Sequence, residues 1–295
     1  MKKQAMRYHL MLVLAAFIWG SAFVAQSVGT DYIKAFTFQS MRSILASAVL
    51  LPVIILMKKK KTEEEKKAED KKELLKGGLL CGTFLSLSAV LQQHGMSMTT
   101  VGKAGFLTAM YLLIVPILGL FFKKKAAPKI WFCVIVEVIG LYLLCMTEHF
   151  YLSKGDSFEA LCALSFSIHI LLIDHYAAKT DPVKLSCVQF FVSFVFCGIF
   201  ALIFDKPTLR AIWQAKIPLF YLGVLSGGIA FTLQIVAQKH TKPAVASLLM
   251  SLESVFSLLS GMVVLHEIPS FREAIGCTLM FGAVVVSQIP EKKHS

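Results

Sequence analysis

The sequence predicts an all-α membrane protein of ten transmembrane helices, arranged as two inverted five-helix repeats with both termini cytoplasmic. Three observations predict it. The 295 residues are 56% hydrophobic and only 16% charged, where soluble domains carry about 25% charged residues. Ten stretches are apolar over the roughly 20 residues that a helix needs to cross a bilayer. The second five of these stretches also match the first five, at offsets that drift only from 147 to 145 to 142.

Taken in order, the spans fall near residues 9–28, 35–57, 77–95, 103–122 and 129–147, then 156–174, 185–204, 216–236, 243–264 and 273–289. The first, behind Lys2, Lys3 and Arg7, has the form of a secretory signal, but its match in the sixth span makes it a member of the bundle. Between the second and third spans lies the charged loop 58–76, "KKKKTEEEKKAEDKKELLK". Glu63 stands four residues before Lys67 there, which reads as a solvated helix or tether. Pro116 puts a kink in the fourth span.

Orientation follows from the loops, because short cytoplasmic loops collect Lys and Arg. With the N-terminus inside, the inner segments hold the lysines from Lys58 to Lys76, then Lys123, Lys124, Lys125 and Lys129, then Lys179, Lys184, Lys239, Lys242, Lys292 and Lys293. The outer loops hold only Lys34, Lys103, Lys154, Lys206, Arg210, Lys216 and Arg272. The net charge of +12 is therefore mostly this inside bias, drawn to anionic lipid. No nucleic-acid motif accompanies it.

The repeat divides the chain at 1–150 and 151–295. At 147, Leu14, Ala16, Trp19 and Arg42 meet Leu161, Ala163, Phe166 and Gln189. At 145, Gly78, Gly82 and Gln93 meet Gly223, Gly227 and Gln238. At 142, Thr99, Ala104, Gly119 and Gly140 meet Thr241, Ala246, Gly261 and Gly282. An odd number of spans per repeat makes the second enter the membrane from the opposite side, the architecture of secondary transporters whose site lies near the midplane.

The segments "FIWGSAFVAQ", "FTFQSMRSILASAVLLP" and "ASLLMSLESVFSLLSGMVVLHEIPSFREAIGCTLMFGAVVV" resemble the two ends of an EamA-type member of the drug/metabolite transporter superfamily. The resemblance covers nearly the whole chain. It implies export or exchange of small metabolites, often amino acids or related solutes, through a central cavity of a cell-membrane protein. It marks Trp19, Gly20 and Arg42 in the first two spans, and Glu253 and Glu267 in and after the ninth. The family usually has Pro directly after the acid of the ninth span, and here that place is held by Ser254.

Glu253 is the strongest single signal. A charge at the centre of a membrane helix costs about 2.5 to 3.5 kcal/mol on insertion scales, and Glu253 stands near the middle of its span, on a face with Ala246, Ser257 and Ser260. Its repeat mate is Tyr111. Three roles stay open for it: a hydrogen-bonded structural carboxyl, a ligand for a cationic part of the solute, or a carboxyl that exchanges a proton and so couples transport to it.

Other polar residues inside the spans carry a structural reading beside the functional one. Arg42 is too deep to be an ordinary flanking charge; it snorkels, pairs with an acid or attracts an anion. Gln234 shares a face with Gln238, Gly227 and Ala230, and Gln92 shares one with Ser88; amides of this kind either bind solute or glue helices. His169 follows Glu159 and precedes Asp174 without a partner on its own face, so a hydrogen-bonded core histidine on a helix bordering the cavity is expected. Glu137 is a second mid-span acid, expected in a local hydrogen bond or an oligomer contact. Trp19 reads as packing or cavity wall. The substrate-binding candidates are thus Glu253, Tyr111, Gln234, His169, Trp19, Ser257 and Gln92, with Arg42, Glu137 and Glu267 as structural or ion-pair residues.

Seven cysteines, Cys81, Cys133, Cys145, Cys162, Cys187, Cys197 and Cys277, all fall within predicted spans and without metal-site spacing, so they read as small buried hydrophobes. No nucleophile with its base, no metal cluster and no phosphate-cradling loop is present, which speaks against an enzyme, a cofactor or ATP-driven work. A small-molecule solute and the lipid bilayer are the expected partners. A non-transporting scaffold or regulator of the same fold is the alternative, because fold does not fix function.

Overall fold

A computed structural model describes residues 2–60, 70–99, 101–124, 126–146, 153–265 and 270–289. Glu267, and the expected Glu63–Lys67 pair of the charged loop, lie outside the described residues.

Ordinary helix chemistry sets where the helices begin. Asp70 accepts from the N–H groups of Lys72 and Glu73 and starts α3 (Lys71–Met96). Ser153 and Asp156 form a reciprocal capping box at α6 (Lys154–Ala177). Asp181, with Pro182 behind it, starts α7 (Pro182–Phe200), and Ser270 with Glu273 boxes the start of α10 (Phe271–Gln288). Each cap satisfies amide groups that a helix start leaves without a partner.

The remaining long helices are α1 (Lys2–Thr30), α2 (Ala35–Lys60), α5 (Pro128–Cys145) and α8, which runs through Lys216–Gln238. The middle of α8, Tyr221–Phe231, is π-helical, and a π turn continues α7 over Ala201–Asp205. Two helices are interrupted. The fourth, α4, consists of Val101–Ala109 and Tyr111–Phe121 with Met110 between them. The ninth, α9, consists of Pro243–Met250 and Glu253–Leu265 with Ser251 and Leu252 between them.

Among the described residues there is no strand, and nine helical stretches are long and apolar enough to cross a membrane. The last long helix, α10, is not one of the nine; Arg272 and Glu273 in its first turn shorten its apolar run. Large apolar side chains such as Leu10, Phe132, Ile139, Leu202 and Ile203 lie on the outside, the expected dress of a surface that faces lipid. The seven cysteines are free, and Cys81, Cys133, Cys162, Cys187 and Cys197 are buried, as small hydrophobes.

Packing pairs the helices in a regular way. Helix α3 lies on α6 and α7, while α8 lies on α1 and α2. Likewise α4 lies on α6, while α9 lies on α1; α2 faces α7, and α5 faces α10. The α5–α10 contact is close because glycines meet there: a Cβ on Gly140 would stand 2.8 Å from the Gly276 carbonyl oxygen. Without hydrophobic drive between helices in lipid, close backbone approach of this kind supplies the packing energy.

Candidate functional site

The interruptions of α4 and α9 lie at matching places, since Tyr111 and Glu253 are 142 residues apart and each opens the second segment of its helix. They also meet. Tyr111 Oη donates to Glu253 Oε1 at 3.0 Å, with both residues buried.

The α9 interruption forms without a proline at 254. Glu137, fully buried on α5, accepts a hydrogen bond from Ser251 Oγ at 2.6 Å, inside the interrupted turn. On the other side α1 presses against the same turn. A Cβ on Gly20 would stand 2.5 Å from the Glu253 carbonyl oxygen and 2.8 Å from the Ser257 nitrogen, so only glycine allows the approach. Of the two roles expected for Glu137, the local hydrogen bond is the one seen.

Around the Tyr111–Glu253 pair is a cavity of about 70 Å³. Helix α1 supplies Trp19, Ala22, Phe23 and Gln26; α6 supplies Phe166, His169 and Ile170. The first three of each set are again related by the offset of 147. Helix α4 adds Thr108 and Tyr111, and α9 adds Met250 and Glu253, at the offset of 142. The other pairs are unequal: Leu222, Ser226, Phe231 and Gln234 come from α8, but only Gln92 comes from α3 and only Arg42 from α2.

Six of the seven substrate-binding candidates, Glu253, Tyr111, Gln234, His169, Trp19 and Gln92, therefore share one cavity, and Arg42 joins them. Ser257 does not. Its backbone is where α1 closes over α9 at Gly20, and that contact takes it off the expected cavity stripe. Arg42 is not paired with an acid among the described residues; its Nε donates to Gln39 Oε1 at 2.5 Å, and the guanidinium lies 6.0 Å from the Phe38 ring centre. His169 is the expected hydrogen-bonded core histidine, with Nε2 3.1 Å from Gln189 Oε1. Trp19 Nε1, His169 Nδ1 and Gln234 Oε1 have no hydrogen-bond partner among the described residues although buried, which leaves polar capacity on residues that border the cavity.

A polar layer closes one side of the cavity. Gln26 Nε2 donates to Gln92 Oε1 at 3.2 Å and to Gln93 Oε1 at 2.9 Å. Thr108 Oγ1 donates to the buried Glu159 Oε2 at 2.7 Å, which ties α4 to α6. Sequence reasoning passed over Gln26, Thr108 and Glu159 as site residues. Gln26 carried a usable signal, because it stands seven residues after Trp19 and so on the same helix face.

At the other end, where the lysines gather, a larger cavity of about 870 Å³ opens between α1, α4, α5, α6, α8, α9 and α10. Only one helical turn separates it from the small one. Tyr111, Ile170 and Gln234 border the small cavity, and Val115, Asp174 and Gln238, each four residues further on, border the large one, a rise of about 6 Å. Lys124 Nζ donates to Asp174 across its wall. Partial burial pulls the Lys124 ammonium below the usual lysine range.

The model of the EamA-like transporter family matches residues 6–146 and again 153–288. An uncharacterized transporter of Archaeoglobus fulgidus is 29% identical over 278 residues, covering 94% of this chain and 84% of its own. The uncharacterized transporter YoaV of Bacillus subtilis is 22% identical, over 92% of this chain and 93% of its own. A crystal structure of a protein only 16% identical superposes with a TM-score of 0.79 over 95% of this chain and 96% of that one, which shows a shared fold. By the two family matches, which together span nearly its whole length, the chain belongs to the EamA-like transporter family.

Proposed function

We propose that this protein is a secondary transporter that exports or exchanges a small polar metabolite, an amino acid or related solute, by alternating access across the cell membrane. Ten spans in two inverted five-helix repeats, with both termini cytoplasmic, form its frame. The observation that carries the reading is the cavity at the two helix interruptions, where Glu253, Tyr111 and the unpartnered polar atoms of Trp19 and Gln234 converge. Interrupted helices with polar groups at the repeat interface are how such carriers hold a solute in the membrane.

Alternating access draws support from the contrast between the two ends. One side of the cavity is bound by the Gln26, Gln92, Gln93, Thr108 and Glu159 layer, and the other opens within one turn into the large vestibule. The state is inward-facing with its site contracted. About 70 Å³ accommodates a few water molecules, so a solute of amino-acid size enters only when the four interrupted segments separate. Thr108 and Gln26 belong to the outer gate in this reading, and proton coupling, where present, runs through Glu253.

Counterflow of labelled amino acids and related solutes into vesicles of pure protein tests the reading. Saturable flux of one class supports it; folded protein that moves nothing across a broad panel leaves the scaffold alternative in its place. For coupling, flux is compared with and without a pH gradient in wild type and Glu253→Gln. A variant that transports normally and still responds to the gradient removes Glu253 as the proton carrier.

A further inference from the structure

Among the described residues five lysines line the large vestibule, Lys123, Lys124, Lys129, Lys239 and Lys242, against a single acid, Asp174. That acid is already taken by Lys124. Lys129 Nζ donates to the backbone carbonyl of Ile289. Lys123, Lys239 and Lys242 have no carboxylate within ion-pair reach among the described residues. Lysines gather at a cytoplasmic end whatever they face, so their number alone decides nothing.

Two further features point into the same space. Thr241, 7% exposed, lines the vestibule with a hydroxyl that has no hydrogen-bond partner among the described residues. A buried hydroxyl without a partner loses about 1 to 3 kcal/mol of solvation, and in this place it offers a donor that can rotate toward an acceptor. Second, α5 and α9 both begin at this wall, with Pro128 and Pro243 in their first turns and no side-chain cap at Ala127 or Lys242. The starts of α3, α6, α7 and α10 are all capped by a side chain. The prolines have no N–H to offer, and Ile130 and Val245 donate back to the Ala127 and Lys242 carbonyls, so each start presents one amide, of Lys129 or Ala244, beside the positive end of the helix dipole.

We propose that this vestibule is an anion site, taking a phosphate or carboxylate group held by Lys239, Lys242, the Thr241 hydroxyl and the Ala244 amide in the first turn of α9. The three residues are consecutive with His240 in the loop that leads into α9, so one bound group touches the loop directly beside the interrupted helix. A free anion in solution and the headgroup of an anionic lipid share this chemistry. The site stands whether or not the central cavity carries a solute.

The whole protein in phosphatidylcholine nanodiscs is titrated with inorganic phosphate, against chloride at matched ionic strength, by calorimetry. Saturable binding is expected, weakened at least tenfold by Lys239→Gln with Lys242→Gln and several-fold by the isosteric Thr241→Val. Lys216→Gln, at the opposite end beside the Trp213 ring, leaves it unchanged. A second arm uses nanodiscs that contain phosphatidylglycerol, followed by native mass spectrometry. Phosphate binding that persists there identifies a free-anion site. Phosphate binding that disappears while phosphatidylglycerol stays on the wild type, and not on the double variant, identifies a lipid site. The proposal is overturned if neither probe binds saturably, or if the double variant binds either one as the wild type does.

Discussion

The interrupted turns of α4 and α9 are the same device built twice with different chemistry. In α4 the turn at Met110 is held by backbone bonds, from Met110 N–H to Leu107 and from Leu113 and Ile114 N–H to Met110, and it opens on a phenol. In α9 the turn at Ser251 and Leu252 has backbone bonds as well, from Ser251 N–H to Ser247 and from Ser254 N–H to Ser251, and it is gripped besides from both sides, by the Glu137 carboxyl and by the close approach of Gly20, and opens on a carboxyl group. The residues that open the two second segments, Tyr111 and Glu253, meet each other. The difference teaches that the two turns correspond in position and not in charge: the turn that carries the acid is also the one that is pinned.

The largest effect expected from breaking this asymmetry falls on the acid. Glu253→Ala removes the carboxylate and leaves the Tyr111 hydroxyl buried without its acceptor; flux in the vesicle assay is expected to fall at least 100-fold. Tyr111→Phe keeps the ring and removes one hydrogen bond to a carboxylate, about 1.5 to 3 kcal/mol, or roughly 10- to 100-fold. Equal loss in the two variants would mean that the hydrogen bond, and not the carboxylate, is the working element.

Gly20→Ala comes next. A methyl group 2.5 Å from the Glu253 carbonyl oxygen and 2.6 Å from the Phe256 Cβ must push α1 away from α9, and overpacking of this kind costs about 1 to 3 kcal/mol. The thermal midpoint should drop by several degrees and flux should fall with it. A variant as stable as the wild type would show that α1 can move off α9 at no cost to the fold. Ser251→Ala should be milder and more local, since it takes away the hydroxyl that Glu137 accepts from, a loss of about 1 to 3 kcal/mol. Hydrogen exchange should quicken at residues 251–254 and stay unchanged at 110–113; quickening at both turns would mean that they open together.

Much of this arrangement was legible beforehand, and what escaped did so for physical reasons. Offsets alone made Tyr111 the mate of Glu253, because a repeat preserves order along the chain. They could not say that the two touch, which depends on where the helices cross. With Ser254 where the family has Pro, no proline breaks α9, yet the turn forms, held by Glu137 and Gly20, both more than 100 residues earlier in the sequence. Helical periodicity placed Ser257 beside Glu253 correctly, but periodicity is blind to a neighbouring helix that covers one residue and not the next. Glu159 was passed over for the opposite reason: its partner Thr108 lies on another helix, and nothing along α6 announces it.

Thr108 gives the smallest effect and the sharpest reading of the comparison. At the offset of 142 its mate is Met250, so in this pair the polar member lies on α4 and the apolar one on α9, the reverse of the charge at Tyr111 and Glu253. Thr108 Oγ1 donates to Glu159, and a single hydrogen bond contributes about 0.5 to 1.5 kcal/mol net. Thr108→Val keeps the shape and removes that bond together with the long one, 3.5 Å, that Oγ1 accepts from Gln92 Nε2, so the polar layer should open about 2- to 10-fold more often. Cys162, fully buried three residues beyond Glu159 on α6, reports it: labelling of Cys162 by an impermeant maleimide, located by mass spectrometry, should rise by that factor, whereas Met250→Leu should leave it unchanged. Equal labelling in Thr108→Val and wild type would show that this layer is held by the bonds from Gln26 to Gln92 and Gln93 alone, and that the asymmetry of the two interrupted helices stops at their acid.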